Sequence, residues 1–171
     1  MRLYQYVGPK GIADRVRQSL RGTPVHSPED IRRWALASAQ DLVHDGYVTA
    51  TFVVDSAGTL LIADRRSEHV ACAGGKPVRS AGEMTFNLVG ASVRVIAVSN
   101  QSTGYCPEPE SWPAVASALA AARLESPRGF TWSCDVRLCV GCGNRNLVKD
   151  GVFECAVCGR ELPTVYNCQT E

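Results

Sequence analysis

The chain has 171 residues, 45% hydrophobic and 20% charged, with a net charge of +1. That composition is typical of a globular protein and excludes a disordered chain. So small a charge gives no field that would favour nucleic acid or an acidic membrane surface. No apolar signal segment follows the first residue, and no apolar run approaches the ~20 residues of a membrane span. We therefore expect a cytoplasmic protein with one ordinary domain and a small appendage.

The first half of the chain predicts helices followed by a hairpin. Residues 2–7 suggest a short strand and residues 12–20 a helix, before a break at 22–24. A second helix should begin at Pro28, capped by Ser27, and end near residues 44–46. The apolar residues expected on its buried face are Ile31, Trp34, Ala35 and Leu42. The hydrophobic period then changes to two, which predicts strands at 47–54 and 59–63 joined by a turn.

The second half predicts two more strands, a helix and a metal module. Strands are expected at about 82–88 and 93–99, after a glycine-containing loop at 65–75. Ser111 can cap a helix whose buried stripe contains Trp112, Val115, Ala116 and Leu119, and residues 130–138 predict a last strand. We therefore predict an α+β domain over residues 1–133, with a mostly antiparallel meander and two to three helices. A zinc ribbon and tail should occupy residues 134–171.

The ribbon prediction rests on cysteine spacing. The motif is Cys139-Val140-Gly141-Cys142-Gly143, then twelve residues, then Cys155-Ala156-Val157-Cys158-Gly159. Two residues between cysteines allow one turn to direct both sulfurs at one ion, and the following glycine suits a left-handed backbone. A hairpin turning at residues 150–151 would bring the two turns together.

Four thiolates complete a tetrahedral shell, so we predict structural Zn²⁺ bound by Cys139, Cys142, Cys155 and Cys158. A rubredoxin-like iron site and a redox dithiol pair are the alternatives for this motif. The remaining cysteines, Cys72, Cys106, Cys134 and Cys168, are expected to be free thiols.

A nucleic-acid-binding zinc ribbon is an alternative function, but the charge of this segment argues against it. From residue 134 onward four basic residues stand against five acidic ones. Four thiolates with one Zn²⁺ add a further charge of −2. A ribbon that binds phosphates should be basic.

The central segment carries a second pattern. It runs from His69 to Glu83 and resumes at Ser102-Thr103-Gly104-Tyr105-Cys106-Pro107. It resembles a segment shared by bacterial toxin-like or effector-like domains and by the centre of plant IQ-motif calmodulin-binding proteins. The positions that match are His69, Gly75, Ala81, Gly82, Ser102, Tyr105 and Pro107. Thr103-Gly104 replace a Gly-His pair, and no IQ helix is visible, so calmodulin binding is not implied. The whole chain also resembles a group of actinobacterial proteins that carry the same ribbon.

The polar residues of this pattern suggest a ligand cleft. In a meander, the loops after the second and fourth strands emerge at one end of the sheet, which would bring His69 and Tyr105 together. The residues proposed to line this cleft are His69, Glu83, Asn100, Ser102 and Tyr105. Such groups over a glycine-rich backbone suit a small polar ligand.

Three functions are compatible with these features. The favoured one is a binding protein whose partner is a protein or a small polar ligand. The second is an ADP-ribosyltransferase-like enzyme, because His69, Tyr105 and Glu108 or Glu110 resemble the His, Tyr and Glu order of that class. The third is a cysteine nucleophile, Cys72 or Cys106, activated by His69.

Overall fold

The computed structural model describes residues 2–16, 21–38, 43–90 and 92–169. Within these ranges the chain has an α+β fold with four α-helices and seven strands, five of which form one antiparallel sheet. The helices are α1 (Lys10–Val16), α2 (Pro28–Ser38), α3 (His69–Cys72) and α4 (Trp112–Ala121). The strands are β1 (Thr23–Val25), β2 (Tyr47–Asp55), β3 (Leu60–Asp64), β4 (Val78–Asn87), β5 (Arg94–Val98), β6 (Asp135–Leu138) and β7 (Arg145–Val148). The predicted fold class is confirmed.

Strand β2 is the centre of the main sheet. The strand order is β1-β3-β2-β4-β5, so β3 and β4 lie on opposite sides of β2. The predicted hairpin of β2 and β3 is confirmed, with Val54 opposite Leu60. The Asp55 carboxylate stabilises its turn by accepting hydrogen bonds from the backbone N–H groups of Ala57 and Thr59, both at 2.9 Å.

The strand order differs from the expected meander. Because β3 and β4 are both antiparallel to β2, they run in the same direction, and the chain between them must cross the sheet. This crossover contains α3, a four-residue helix inside the segment predicted as a loop. Strands β3 and β5 consequently run in opposite directions, and the loops after them do not leave the same end of the sheet. The topological argument for bringing those two loops together therefore does not hold, although Tyr105 still shares a buried cluster with Val70 and Cys72 of α3.

Both faces of the sheet are covered. Alternate residues of β2 point to opposite sides, so Phe52 packs with α2 and α4, whereas Val53 packs with α1 and α3. The larger cluster includes Ile31, Trp34 and Leu119, each no more than 4% exposed. Burial of these apolar faces fixes the helices on the sheet.

Several predicted boundaries need correction. Residues 2–7 do not form a strand: Tyr4 makes a single bridge to Val78. Residues 23–25 form the edge strand β1 instead of a break, because an edge position tolerates Pro24. Ser111 does not cap α4 through its side chain; it ends a 3₁₀ turn, and its hydroxyl lies 3.0 Å from that of Ser80.

The start of α2 was predicted correctly. Asp30, in its first turn, accepts hydrogen bonds from the backbone N–H and the hydroxyl of Ser27. Both predicted N-terminal helices extend outside the described residues. These parts are residues 17–20 of the first helix and 39–42 of the second, which include Leu42. Of the predicted last strand, Asp135–Leu138 forms β6, and Trp132 makes one parallel bridge to Ser99. The longest described helix has 11 residues, and none in these ranges is long and apolar enough to cross a membrane.

Candidate metal centre

Four cysteine sulfurs form the most chemically distinctive site in the described part of the chain. The Sγ atoms of Cys139, Cys142, Cys155 and Cys158 all lie within 4.8 Å of one another. The Cys139–Cys158 and Cys142–Cys155 pairs are each separated by 3.6 Å. In a tetrahedral site with metal–sulfur bonds of ~2.3 Å, neighbouring sulfurs lie about 3.8 Å apart. The donor set and its spacing therefore fit one metal ion.

The same backbone turn presents the cysteines on both sides of the site. In the first turn the N–H of Cys139 donates to the carbonyl of Asn144, and that of Gly143 donates to Cys139. In the second, the N–H of Cys155 donates to the carbonyl of Arg160, and that of Gly159 donates to Cys155. Gly143 and Gly159 have φ values of +71° and +70°, the left-handed conformation that the sequence predicted.

Amide groups stabilise the thiolates from outside the sulfur shell. The Nδ2 atom of Asn144 donates to the Cys142 sulfur at 3.3 Å, and that of Asn146 donates to the Cys155 sulfur at 3.5 Å. Hydrogen bonds from Asn144 lower the pKa of Cys142. Hydrogen bonds from backbone N–H groups, of which that of Cys158 has the largest effect, lower the pKa of Cys155 to about 6. Thiolates are the form that binds a metal. The roles of these two asparagines were missed in the sequence, although their position just after a Cys-x-x-Cys-Gly turn was a usable signal.

The strands of the ribbon differ from the predicted hairpin. Strands β6 and β7 pair with each other, with Leu138 opposite Arg145, and the first cysteine turn connects them. Lys149 and Val152 form a bridge around residues 150 and 151, as predicted. Glu154 does not continue this hairpin and pairs instead with Glu161, later in the chain. The second cysteine turn is therefore closed by its own short hairpin.

The residues predicted to bind a polar ligand mostly use their polar groups within the protein. Tyr105 is fully buried, and its hydroxyl donates to the carbonyl of Lys76 at 2.7 Å. Ser102 is buried, and its hydroxyl accepts the N–H of Tyr105. Glu83 is partly exposed and pairs with Arg65 at 3.3 Å.

Asn100 holds two distant segments together. Its Nδ2 donates to the carbonyls of Pro107 and Cys134, and its Oδ1 accepts the N–H of Cys134, all at 2.8 Å. All of these groups are internal, so Asn100 has a structural role in this arrangement. No local sequence pattern indicates this role, because Cys134 lies 34 positions away.

His69, the first residue of α3, is half-buried. Its Nε2 is 3.0 Å from the carbonyl of Gly82, which can only accept, so Nε2 carries the proton. Burial lowers the pKa of His69, which keeps the imidazole neutral near pH 7. Gly82 is required here, because a Cβ would lie 1.9 Å from the carbonyl oxygen of Ser99.

Five surface grooves of 150–360 Å³ in the described ranges have none of His69, Glu83, Asn100, Ser102 and Tyr105 in their walls. Glu108 and Glu110 line the smallest of them, where Glu108 binds Arg2 at 2.7 Å. The proposed His, Tyr and Glu group therefore shares no groove among these five.

The alternative cysteine nucleophiles are poorly placed. Burial raises the pKa of Cys72 to about 12, and its thiol donates to the carbonyl of Leu61. The pKa of Cys106 is also raised, first by its hydrogen bond to Cys168 and then by burial. Neither thiol is a thiolate at neutral pH, as nucleophilic catalysis requires.

Comparison of the chain with protein-family models, curated proteins and solved structures finds no match. The resemblances noted in the central segment stay predictions. Inference about function therefore rests on the geometry of the site.

A substitution at Asn100 tests whether its side chain stabilises the fold or is available to bind a ligand. We expect Asn100→Asp to lower the free energy of unfolding by about 3 kcal/mol, because a carboxylate would replace the amide that donates to two carbonyls. Gln101→Ala, at the exposed neighbour, should change it by less than about 0.5 kcal/mol. Urea denaturation followed by circular dichroism measures both. An Asn100→Asp protein as stable as the wild type would contradict the structural role.

Proposed function

We propose that the protein is a zinc-containing interaction protein, in which a structural four-cysteine zinc ribbon on an α+β domain binds a protein partner. The observation that carries this proposal is the set of four cysteine sulfurs within 4.8 Å of one another. Their number completes a tetrahedral shell without an open position for water or substrate. A metal in such a shell has a structural role and stabilises the fold around it.

The choice of zinc follows from the ligands. Soft thiolates in a tetrahedral set select Zn²⁺ or iron among the common metals, and ribbon-length Cys₄ sites favour zinc. The buried apolar cluster beside the site contains only Cys139, Cys155 and Leu162, with Val148 and Phe153 packed against it. So small a cluster cannot hold the two cysteine turns together, and metal binding supplies the missing free energy.

We expect one zinc per chain in the purified protein, measured by inductively coupled plasma mass spectrometry. Cys139→Ser or Cys155→Ser should lose the metal. Asn146→Ala should keep it but bind it 10- to 100-fold more weakly in a chelator competition, because Asn146 holds the Cys155 sulfur and the N–H of Ala156.

Lys149→Ala, at an exposed ribbon residue, is the matched control and should bind zinc as tightly as the wild type. Iron in place of zinc would contradict the metal assignment. Full zinc content in either cysteine variant would contradict the ligand set.

The ribbon presents apolar side chains beside the metal site. Val140, within the first cysteine turn, is 76% exposed, and Val157, within the second, is 66% exposed. Val152, at the turn after β7, is 60% exposed. Exposed valines on both cysteine turns, which metal binding would hold side by side, support a surface that contacts another protein. The ribbon's acidic balance also favours a protein over nucleic acid.

The double substitution Val140→Asp/Val157→Asp tests the partner surface. We expect it to reduce recovery of the partner at least tenfold in affinity purification from native cells, because charges would replace the apolar contact at its centre. Val89→Asp, at a valine 61% exposed on the main domain, should leave recovery unchanged. Quantitative mass spectrometry compares the three samples. Zinc content should be equal in all three, and equal recovery of every enriched protein would contradict the proposal.

A further inference from the structure

A groove of about 350 Å³ lies where the ribbon meets the main domain. It is lined by residues 132–134, which precede β6, and by residues 147–150, at the end of β7. Trp132 is 50% exposed, and its side chain forms no hydrogen bond or ring contact within the described ranges. A large aromatic side chain is therefore available at the rim of a concave surface.

An exposed strip continues from this groove along the ribbon. Lys149, in the wall of the groove, forms a bridge with Val152, which is 60% exposed. Glu154 is exposed on the same face, because alternate residues of an extended segment point the same way. Glu161 lies directly opposite Glu154 in the short hairpin around the second cysteine turn, and it is also exposed. The groove, the valine and the two carboxylates therefore follow one another along the surface.

The two glutamates form an unfavourable pair in the isolated protein. Like charges directly opposite each other on paired strands destabilise the pairing. Neither carboxylate forms a salt bridge or a hydrogen bond within the described ranges, and Arg137 of β6 pairs with Asp135 instead. This end of the strip therefore has negative charge that no neighbouring cation offsets.

We propose that this strip docks a basic segment of the partner protein, with an apolar side chain in the groove beside Trp132 and arginine or lysine side chains on Glu154 and Glu161. The inference rests on the proposed function, because it names the chemistry of the partner and its place on the ribbon. Val152 belongs to the proposed partner surface and joins the strip to it.

The groove suits the apolar anchor of such a segment. Leu147 and Val148 are partly buried and provide apolar walls, and the half-exposed indole of Trp132 adds a large apolar face. Tryptophan is among the residues that contribute most of the binding energy in protein interfaces. The indole face also attracts arginine or lysine through a cation–π interaction. An apolar residue next to a basic one on the partner would use both properties.

The charge of the strip selects the class of partner. Lys149 and Asp150 at the groove are adjacent and offset each other, so Glu154 and Glu161 set the sign. The phosphates of nucleic acids and anionic lipids would be repelled by these two carboxylates. A guanidinium or ammonium group between the carboxylates would remove their repulsion and form charge-assisted hydrogen bonds with them. A basic protein segment is therefore the complementary occupant.

A phage library of random peptides, selected on the immobilised full-length, zinc-loaded protein, tests the inference. We expect the selected peptides to be enriched about twofold or more in arginine and lysine over the input library, next to a large apolar residue. Glu154→Gln/Glu161→Gln should lose the basic preference, and Trp132→Ala the apolar one. The peptide that binds the wild type best, labelled with fluorescein, should bind Glu154→Gln/Glu161→Gln about tenfold more weakly in fluorescence anisotropy.

A matched control and a stability measurement make the result specific. Asp14→Asn/Glu29→Gln removes two exposed carboxylates from the main domain and should bind that peptide like the wild type. Zinc content should be equal in all proteins. The melting temperature of Glu154→Gln/Glu161→Gln should rise by about 2 °C, because the repulsion between the two carboxylates is removed.

Selected peptides without an excess of basic residues, or wild-type affinity in Glu154→Gln/Glu161→Gln, would overturn the inference. A lower melting temperature of that variant would also overturn it, because the two carboxylates would then stabilise the free protein.

Recovery of the native partner separates this inference from the proposed function. In affinity purification, recovery should fall about tenfold with Glu154→Gln/Glu161→Gln and with Val140→Asp/Val157→Asp. A loss with the valine variant alone would overturn the basic segment and leave the proposed function in place. Full recovery with both variants would overturn both.

Discussion

The ribbon depends on the approach of four cysteine sulfurs from two separate turns to within 4.8 Å of one another. Two thiolates about 4 Å apart repel each other by roughly 4 kcal/mol at an effective dielectric constant of 20. Four thiolates this close require a cation or protons to offset their charge. The proposed metal removes that repulsion and joins the two turns, which the small apolar cluster around Leu162 cannot do.

Much of the C-terminal structure is tied to this junction. Strand β6 leads directly into Cys139, and the carbonyl of Thr164 in the tail accepts hydrogen bonds from Arg137 of that strand. The tail then returns to the main domain through Tyr166 and Gln169. A ribbon that lost its metal would therefore loosen contacts beyond the cysteine turns. The boundary predicted at residue 134 separates two segments that share the buried cluster of Cys106 and Val136.

Features set by neighbouring residues were predictable from the sequence. The cysteine spacing with Gly143 and Gly159, the start of α2 at Pro28 and the hairpin of β2 and β3 each depend on a few consecutive positions. The strand order was not predictable in this way. Alternating hydrophobicity identifies a strand but does not tell which side of β2 the next strand will occupy.

The polar loop around residues 100–105 shows a related limit. Asn100, Ser102 and Tyr105 have the side chains expected of a ligand site, yet their partners are carbonyl and N–H groups within the protein. A buried loop must satisfy its backbone polar groups, and side-chain amides and hydroxyls do this well. Their partners at Lys76 and Cys134 are distant in sequence, so the pattern alone could not distinguish binding from internal support.

X-ray absorption spectroscopy at the zinc edge of the purified protein measures the ligand shell directly. A closed Cys₄ zinc centre should give four sulfur neighbours at about 2.3 Å and no nitrogen or oxygen ligand. A shell containing nitrogen or oxygen, or fewer than four sulfurs, would show an open or different site. That result would contradict a closed structural zinc centre at Cys139, Cys142, Cys155 and Cys158.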